Sequence, residues 1–146
     1  MYPWTRVAEY SGAEIRLAEH DEDLYTDPQD ILDLIDEETS VVTLSHIEYS
    51  TGQRYDLSRF SDAAHSVGAL LIVDATQSMG MLPIDAPSSG ADALVSSGYK
   101  WLRGTYGAAV AYISPSIWGK MNPGLVGFRS HSELWQLRAD RLDLPD

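Results

Sequence analysis

Two short stretches of this chain gather residue types that can do chemistry. The first is Asp74-Ala75-Thr76-Gln77-Ser78, which follows the apolar run Leu70-Leu71-Ile72-Val73. An aspartate placed directly after four apolar residues is costly to desolvate unless it has a partner. It reads either as a strand-end residue capping the next helix or as an acid held beside a cationic or protonated ligand group. Gln77 lies three residues on and can reach the same ligand from the loop. The second stretch is Ser96-Ser97-Gly98-Tyr99-Lys100-Trp101. Lys100 lies 26 residues after Asp74 and reads as the end of another apolar strand, and Lys120 is the only other lysine. A lysine beside apolar surface can form a Schiff base with a carbonyl compound. Serine and tyrosine hydroxyls, with the backbone N–H groups that a glycine exposes, are suitable phosphate donors. The hexapeptide reads equally as a surface lysine lying over Trp101.

One cofactor answers to both stretches. Pyridoxal 5'-phosphate needs a lysine for its aldehyde, an acid for its pyridinium nitrogen and donors for its phosphate. Lys100, Asp74, Ser97 and Tyr99 supply those roles. The acid keeps the ring nitrogen protonated, which makes the ring an electron sink.

Such residues must be placed by regular elements, and the pattern alternates. Tyr2 to Tyr10 reads as a short helix ended by Gly12. Ala13 to Ala18 reads as a strand with Ile15 and Leu17 on one face. Asp27-Pro28 starts a helix, with Asp27 as cap and Ile31, Leu32, Leu34 and Ile35 at helical spacing. Ser40 to Leu44 suits a buried parallel strand. His46 to Arg54 is a polar loop. Asp56 to Val67 forms a helix whose inner face is Leu57, Phe60, Ala64 and Val67, closed by Gly68. Leu70 to Val73 is the strongest strand signal, with Asp74 at its carboxyl end. Ala91 to Val95 and Ala108 to Ile113 are further strands, and Pro115 to Lys120 is a helical turn. Strands alternating with helices imply βαβ units and a mainly parallel sheet. In open sheets of this kind ligands bind beyond the carboxyl ends of the strands. Asp74 and the segment Ser96 to Lys100 point to that same edge.

Composition narrows the class. The 146 residues carry 22 Asp+Glu against 10 Lys+Arg, a net charge of -12, and no cysteine. That length favours one domain. Without cysteine there are no disulfides, thiolate zinc sites or cysteine nucleophiles. The acid excess argues against nucleic acid, which needs clustered Lys/Arg, and against an anionic membrane surface. The acids crowded between Glu19 and Glu38 lack the glycine spacing of a calcium loop, so no metal site is expected. No apolar run reaches the roughly 18 to 20 residues of a membrane span. The expectation is a soluble cytoplasmic protein.

The sequence resembles fold-type I pyridoxal-phosphate enzymes of the aminotransferase class V family, a group with cysteine desulfurases, kynureninases and isopenicillin-N-epimerase-like proteins. Three blocks carry the resemblance in order: Ser45-His46-Ile47-Glu48-Tyr49-Ser50-Thr51-Gly52, then Leu71 to Gly80 around Asp74-Ala75-Thr76-Gln77-Ser78, then Ser97-Gly98-Tyr99-Lys100-Trp101-Leu102, with Ala91-Asp92 between the last two. It implies an α/β fold, part of a three-layer α/β/α large domain with a mainly parallel sheet. It implies that Lys100 is catalytic, holding the cofactor as a Schiff base and shuttling the α-proton. Asp74 would pair with the pyridinium nitrogen. Gln77 would contact the phenolic oxygen or ring face, and Ser97 the phosphate. Tyr99 stands where many members have histidine and kynureninases have a phosphate-donating tyrosine. His46 would either stack near the cofactor or bond a backbone group at the strand end. Where cysteine desulfurases place a cofactor-contacting asparagine, this chain has Glu48-Tyr49. Arg129 falls in a segment resembling a Gly-Trp-Arg-Ser stretch near the active-site entrance of epimerase-like members. It reads equally as a surface arginine bonding a carboxylate.

Members of this family are commonly more than twice as long. Residues 1 to 146 are therefore expected to be a partial pyridoxal-phosphate-binding large domain, lacking its N-terminal part and the C-terminal small domain. A half-domain exposes sheet edges and apolar faces, so marginal stability or aggregation is expected. The implied activity of the parent, a homodimer, is on a small amino acid by transamination, cleavage, desulfuration or epimerisation. The alternative is a catalytically silent α/β module or partner-binding domain. A nucleotide-binding domain ranks below both, because neither glycine-rich phosphate motif occurs.

Overall fold

The computed structural model describes residues 2–122 together with Gly124 and Ser130. Arg129 lies outside the described residues. Helix α1 (Tyr2–Ser11) stops where Gly12 takes φ of +74°, and the Gly12 N–H donates to the Ala8 carbonyl at 2.8 Å. The strand expected over Ala13 to Ala18 does not form. Its residues make no ladder, and Leu17 is 59% exposed. Alternation alone does not make a strand, which exists through bonds to a neighbour. This segment is instead tied by Arg16, which pairs with Asp36 and Glu38 and donates to the Leu34 carbonyl.

Helix α2 (Pro28–Asp33) begins as its sequence predicts. The Asp27 side chain accepts the Gln29 N–H at 2.8 Å, and Pro28 occupies the first turn, where no amide is needed. Helix α3 (Leu57–Ser66) starts the same way, with Asp56 accepting from the Ser58 N–H at 3.2 Å. It ends at Val67 and Gly68, whose φ is +81°. The α3 face made by Leu57, Phe60, Ser61 and Ala64 is buried.

Four strands form one mixed sheet in the order β1 (Val41–Ser45), β2 (Leu70–Asp74), β3 (Ala93–Ser97) and β4 (Ala109–Ile113). The β1–β2 and β2–β3 pairs are parallel, and β4 is an antiparallel edge. Strand β3 runs two residues later than the expected Ala91 to Val95. Asp92 is the reason. Its buried carboxylate accepts the Leu71 N–H and faces His65 Nε2, each at 2.9 Å, so it anchors the amino end of the sheet. Ser97 is consequently the last residue of β3. Lys100 stands in the turn after it and does not end a strand.

Partners in register share a face. Val42, Leu71, Val73 and Leu94 lie on one face, buried with Leu57, Phe60 and Ala64 of α3. Each fully buried Leu, Val or Phe side chain contributes about 1.5–3 kcal/mol. Ile31, Leu32 and Ile35, in and after α2, pack against the same core. The other face presents Val41, Thr43, Ile72, Val95 and Ala111, and Val41 and Val95 are 38% and 40% exposed. The described residues thus make an α/β arrangement with one face of the sheet covered. No helix among them is long and apolar enough to cross a membrane.

At the amino end of the sheet, Ser61 Oγ lies 3.3 Å from His65 Nδ1, and His65 Nε2 meets Asp92. The order of groups is that of a hydrolytic triad, but Ser61 is only 4% exposed and donates to the Gly90 carbonyl at 3.0 Å. The cluster is a tie between α3 and the segment entering β3.

Candidate functional site

The strand register brings Ser45, Asp74 and Ser97 to the carboxyl end of the sheet. Ser45 is the direct partner of Asp74, and both, like Ser97, belong to the uncovered face. They line a cleft of about 160 Å³ together with Thr76, Gln77, Tyr99 and Lys100, while Ile47 and Tyr49 form its other wall. Both stretches singled out by their chemistry therefore meet in one place.

Each group is held by its surroundings. The Asp74 carbonyl accepts the His46 N–H at 2.9 Å, and its Oδ1 accepts the Thr76 N–H at 2.8 Å. Oδ2 has no hydrogen-bond partner among the described residues, and Asp74 lines the cleft. Asp74 caps the turn after it, so the capping role and the ligand-facing role coexist. Gln77 Oε1 accepts the Trp101 indole N–H at 3.3 Å. Thr76 Oγ1 accepts the Ser97 N–H at 3.1 Å. The loop after β3 folds on itself: Gly98 donates to the Ala108 carbonyl at 2.8 Å, and Gly104 to the Gly98 carbonyl at 2.7 Å. Tyr99 stacks on Tyr106 with ring centroids 4.7 Å apart and planes 17° from parallel. Lys100 Nζ lies 5.9 Å from the Tyr99 ring centroid. Among the described residues no carboxylate forms an ion pair with Lys100.

His46 does not line the cleft. Its neighbours Ser45 and Ile47 do, and the ring between them is buried away from it with Nδ1 unpartnered among the described residues. Burial, and then the positive charge of Arg54, hold the imidazole below its ordinary pKa. Its backbone serves the strand end, donating to Asp74 and accepting from Tyr55.

Glu48 stands in the chain between Ile47 and Tyr49, which line the cleft. Burial raises its carboxyl above the ordinary 4.5, a hydrogen bond from Ser45 opposes this, and the charge of Asp74 raises it further. A carboxyl with a raised folded-state pKa favours the fold fully below its unfolded value, and that contribution is lost as pH rises through the folded value. Glu48→Gln is therefore expected to melt higher than the native protein at neutral pH. The advantage should vanish as pH falls below about 4.5. Paired thermal melts from about pH 4 to 8 check this, and an advantage that grows on acidification would refute it.

The Lys100 loop depends on Gly80. A Cβ there would stand 2.8 Å from both the carbonyl carbon and oxygen of Trp101, and its φ is +89°. The clash is with backbone, so relief must move the loop that carries Lys100. Gly80→Ala is expected to cost more in urea unfolding than the roughly 1–3 kcal/mol of dihedral strain alone. Gly12→Ala, with φ of +74° but nothing within 4 Å, is the control that carries the dihedral strain alone. Equal losses in the two variants would remove the steric account.

Of the residues expected at the site, Asp74, Gln77, Ser97, Tyr99 and Lys100 line one cleft, and His46 does not. Ser45, Tyr49 and Thr76 also line it, although their types and spacing alone point to no role there. The sequence signal for Ser45 is strand alternation across the β1–β2 pair. The signal for Thr76 is its place between Asp74 and Gln77. Tyr49 has none beyond its block.

The donor set fits pyridoxal 5'-phosphate in chemistry: an amine, an acid and hydroxyls line the same cleft. Comparisons with known proteins point the same way. The aminotransferase class-V family model matches residues 1–135. A protein named "Probable cysteine desulfurase" from Methanothermobacter thermautotrophicus is 37% identical over 125 residues, which is 86% of this chain and 31% of that protein. A kynureninase of Pseudomonas fluorescens is 34% identical over 110 residues, 75% of this chain and 26% of its own. Among solved structures, a cysteine desulfurase of Escherichia coli superposes with a TM-score of 0.80 at 28% identity, covering 89% of this chain and 32% of that one. The chain thus spans about a third or less of the length of these relatives. With the family model matched over residues 1–135, the chain belongs to the aminotransferase class-V family, whose members are pyridoxal 5'-phosphate enzymes.

Proposed function

We propose that this chain carries the cofactor-holding part of a pyridoxal-phosphate-dependent enzyme that acts on a small amino acid, of the transaminase, lyase or epimerase type. The supporting observation is the convergence of Lys100, Asp74 and Ser97 on one cleft at the carboxyl edge of the sheet. When bound, the cofactor supplies an aldehyde and an electron-withdrawing ring. Lys100 is the amine that would hold the aldehyde, and its Nζ would take and return a proton at the substrate α-carbon. Asp74 would hold the proton of the ring nitrogen, and the Thr76 N–H on Oδ1 fixes the carboxylate. Ser97 and Tyr99 are hydroxyl donors for the phosphate. Gln77, braced by Trp101, would contact the ring or its phenolic oxygen from the cleft lining.

The sheet face that no described element covers supports a second part of the reading. Parallel strands are ordinarily covered on both faces. Residues 1–146 are part of a large domain whose remaining layer lies elsewhere in a longer protein, working as a homodimer in the cytoplasm.

The test is incubation with pyridoxal 5'-phosphate, borohydride reduction and peptide mapping by mass. One pyridoxyl group on Lys100, with Lys120 unmodified, is the expected outcome. No adduct, or labelling of both lysines alike, would overturn the reading in favour of a catalytically silent module.

A further inference from the structure

Thr76 has only a supporting part in this reading, yet it lies between the two ends of the cleft and touches both. Its backbone N–H donates to Asp74 Oδ1 at 2.8 Å. Its side-chain Oγ1 accepts the Ser97 N–H at 3.1 Å, joining residues 21 apart in sequence. Just before it, the Ala75 N–H donates to the Val95 carbonyl at 2.7 Å. Beyond that bond the β2 and β3 chains diverge into separate loops. The Thr76–Ser97 bond then continues the link by a side chain where the ladder has ended. A threonine suits the task because its branched Cβ restricts χ1, so the hydroxyl is held in place.

We propose that Thr76 is a positioning residue, a clamp that sets the spacing between the acid end of the cleft at Asp74 and the hydroxyl end at Ser97. The clamp selects a ring that carries a phosphate at that spacing over the same ring without one. This selectivity rests on the cofactor reading given above, whereas the clamp itself does not.

Thr76→Val keeps the shape and removes the acceptor, and Thr76→Ser keeps the acceptor. In the protein without cofactor, the Ser97 amide of Thr76→Val should exchange its hydrogen about tenfold faster or more. The Gly98 amide, bonded to Ala108, should not change. The pyridoxal 5'-phosphate dissociation constant of Thr76→Val should rise about 5- to 10-fold. That for pyridoxal should stay within about twofold, and Thr76→Ser, which keeps the acceptor without the branched Cβ, should lie closer to the native protein than to Thr76→Val in each measurement. Thr76→Ala removes the same acceptor with less bulk and decides the matter if the valine does not fold. Unchanged Ser97 exchange would overturn the clamp. Equal weakening toward pyridoxal and its phosphate would overturn the selectivity and leave Thr76 a merely structural residue. A native protein that binds no pyridoxal 5'-phosphate would remove the cofactor reading and the selectivity together, with the clamp still decided by amide exchange.

Discussion

Lys100→Ala is expected to abolish the borohydride-stable adduct completely while leaving the unfolding midpoint unchanged. Covalent capture requires an amine at the cleft, and the other lysine, Lys120, lies in the turn Pro115–Lys120 and is absent from the cleft lining. No second lysine amine is placed to substitute. The fold should not notice the loss, because Lys100 makes no ion pair among the described residues and its stem is only partly buried. Surface changes of this sort stay within about 0.5 kcal/mol. Reversible binding through Asp74, Ser97 and Tyr99 should survive, so the variant is expected still to perturb the cofactor's absorption without being trapped by reduction. Lys100→Arg keeps the charge but offers no free amine, and it should behave like the alanine variant. An adduct persisting in either variant would place the reactive amine elsewhere and detach Lys100 from the proposed chemistry.

The residues that carry chemistry are legible because strand ends announce themselves. An apolar run such as Leu70 to Val73 closes with Asp74, and the carboxyl edge of an open sheet is where ligands go. Caps are legible for the same local reason: Asp27 and Asp56 each lie before a helical pattern and each accepts an amide two residues on. The misplacements come from information held elsewhere in the chain. Ala13 to Ala18 alternates like a strand, but no strand among the described residues pairs with it, and Arg16 ties it to Asp36 instead. The start of β3 depends on Asp92 meeting the Leu71 amide and His65, residues 21 and 27 positions away. His46 belongs to a block that resembles a cofactor loop, yet its side is decided by the twofold alternation along β1, which hands the cleft to Ser45 and Ile47. In the sequence Thr76 is only a spacer between Asp74 and Gln77, because its partner Ser97 comes from a different strand end. Local chemistry can be read from the sequence, but contacts between distant segments cannot.

Asp92→Ala is expected to be the most destabilising change at a polar side chain of the amino end of the sheet, and it leaves the cleft residues themselves intact. The Asp92 side chain is 7% exposed, and one oxygen, Oδ2, serves both the Leu71 N–H and His65 Nε2. Truncation leaves the Leu71 amide without an acceptor next to a fully buried leucine. An unsatisfied buried amide costs about 1–3 kcal/mol, and the hydrogen bond lost to an ionised acceptor adds to it, for about 2–4 kcal/mol in all. His65 is 45% exposed, so its share of the pair is screened and small, below about 1 kcal/mol. The ordering of variants separates the two contributions. Asp92→Asn keeps an acceptor for Leu71 and should lose about 1 kcal/mol. His65→Ala removes only the exposed partner and should lose less still, whereas Asp92→Ala should lose most. A loss of this size is a large fraction of the roughly 5–15 kcal/mol that holds a whole domain. Urea midpoints at constant slope give the comparison directly. If His65→Ala proved as damaging as Asp92→Ala, the ion pair and not the Leu71 amide would be what anchors the amino end of β3.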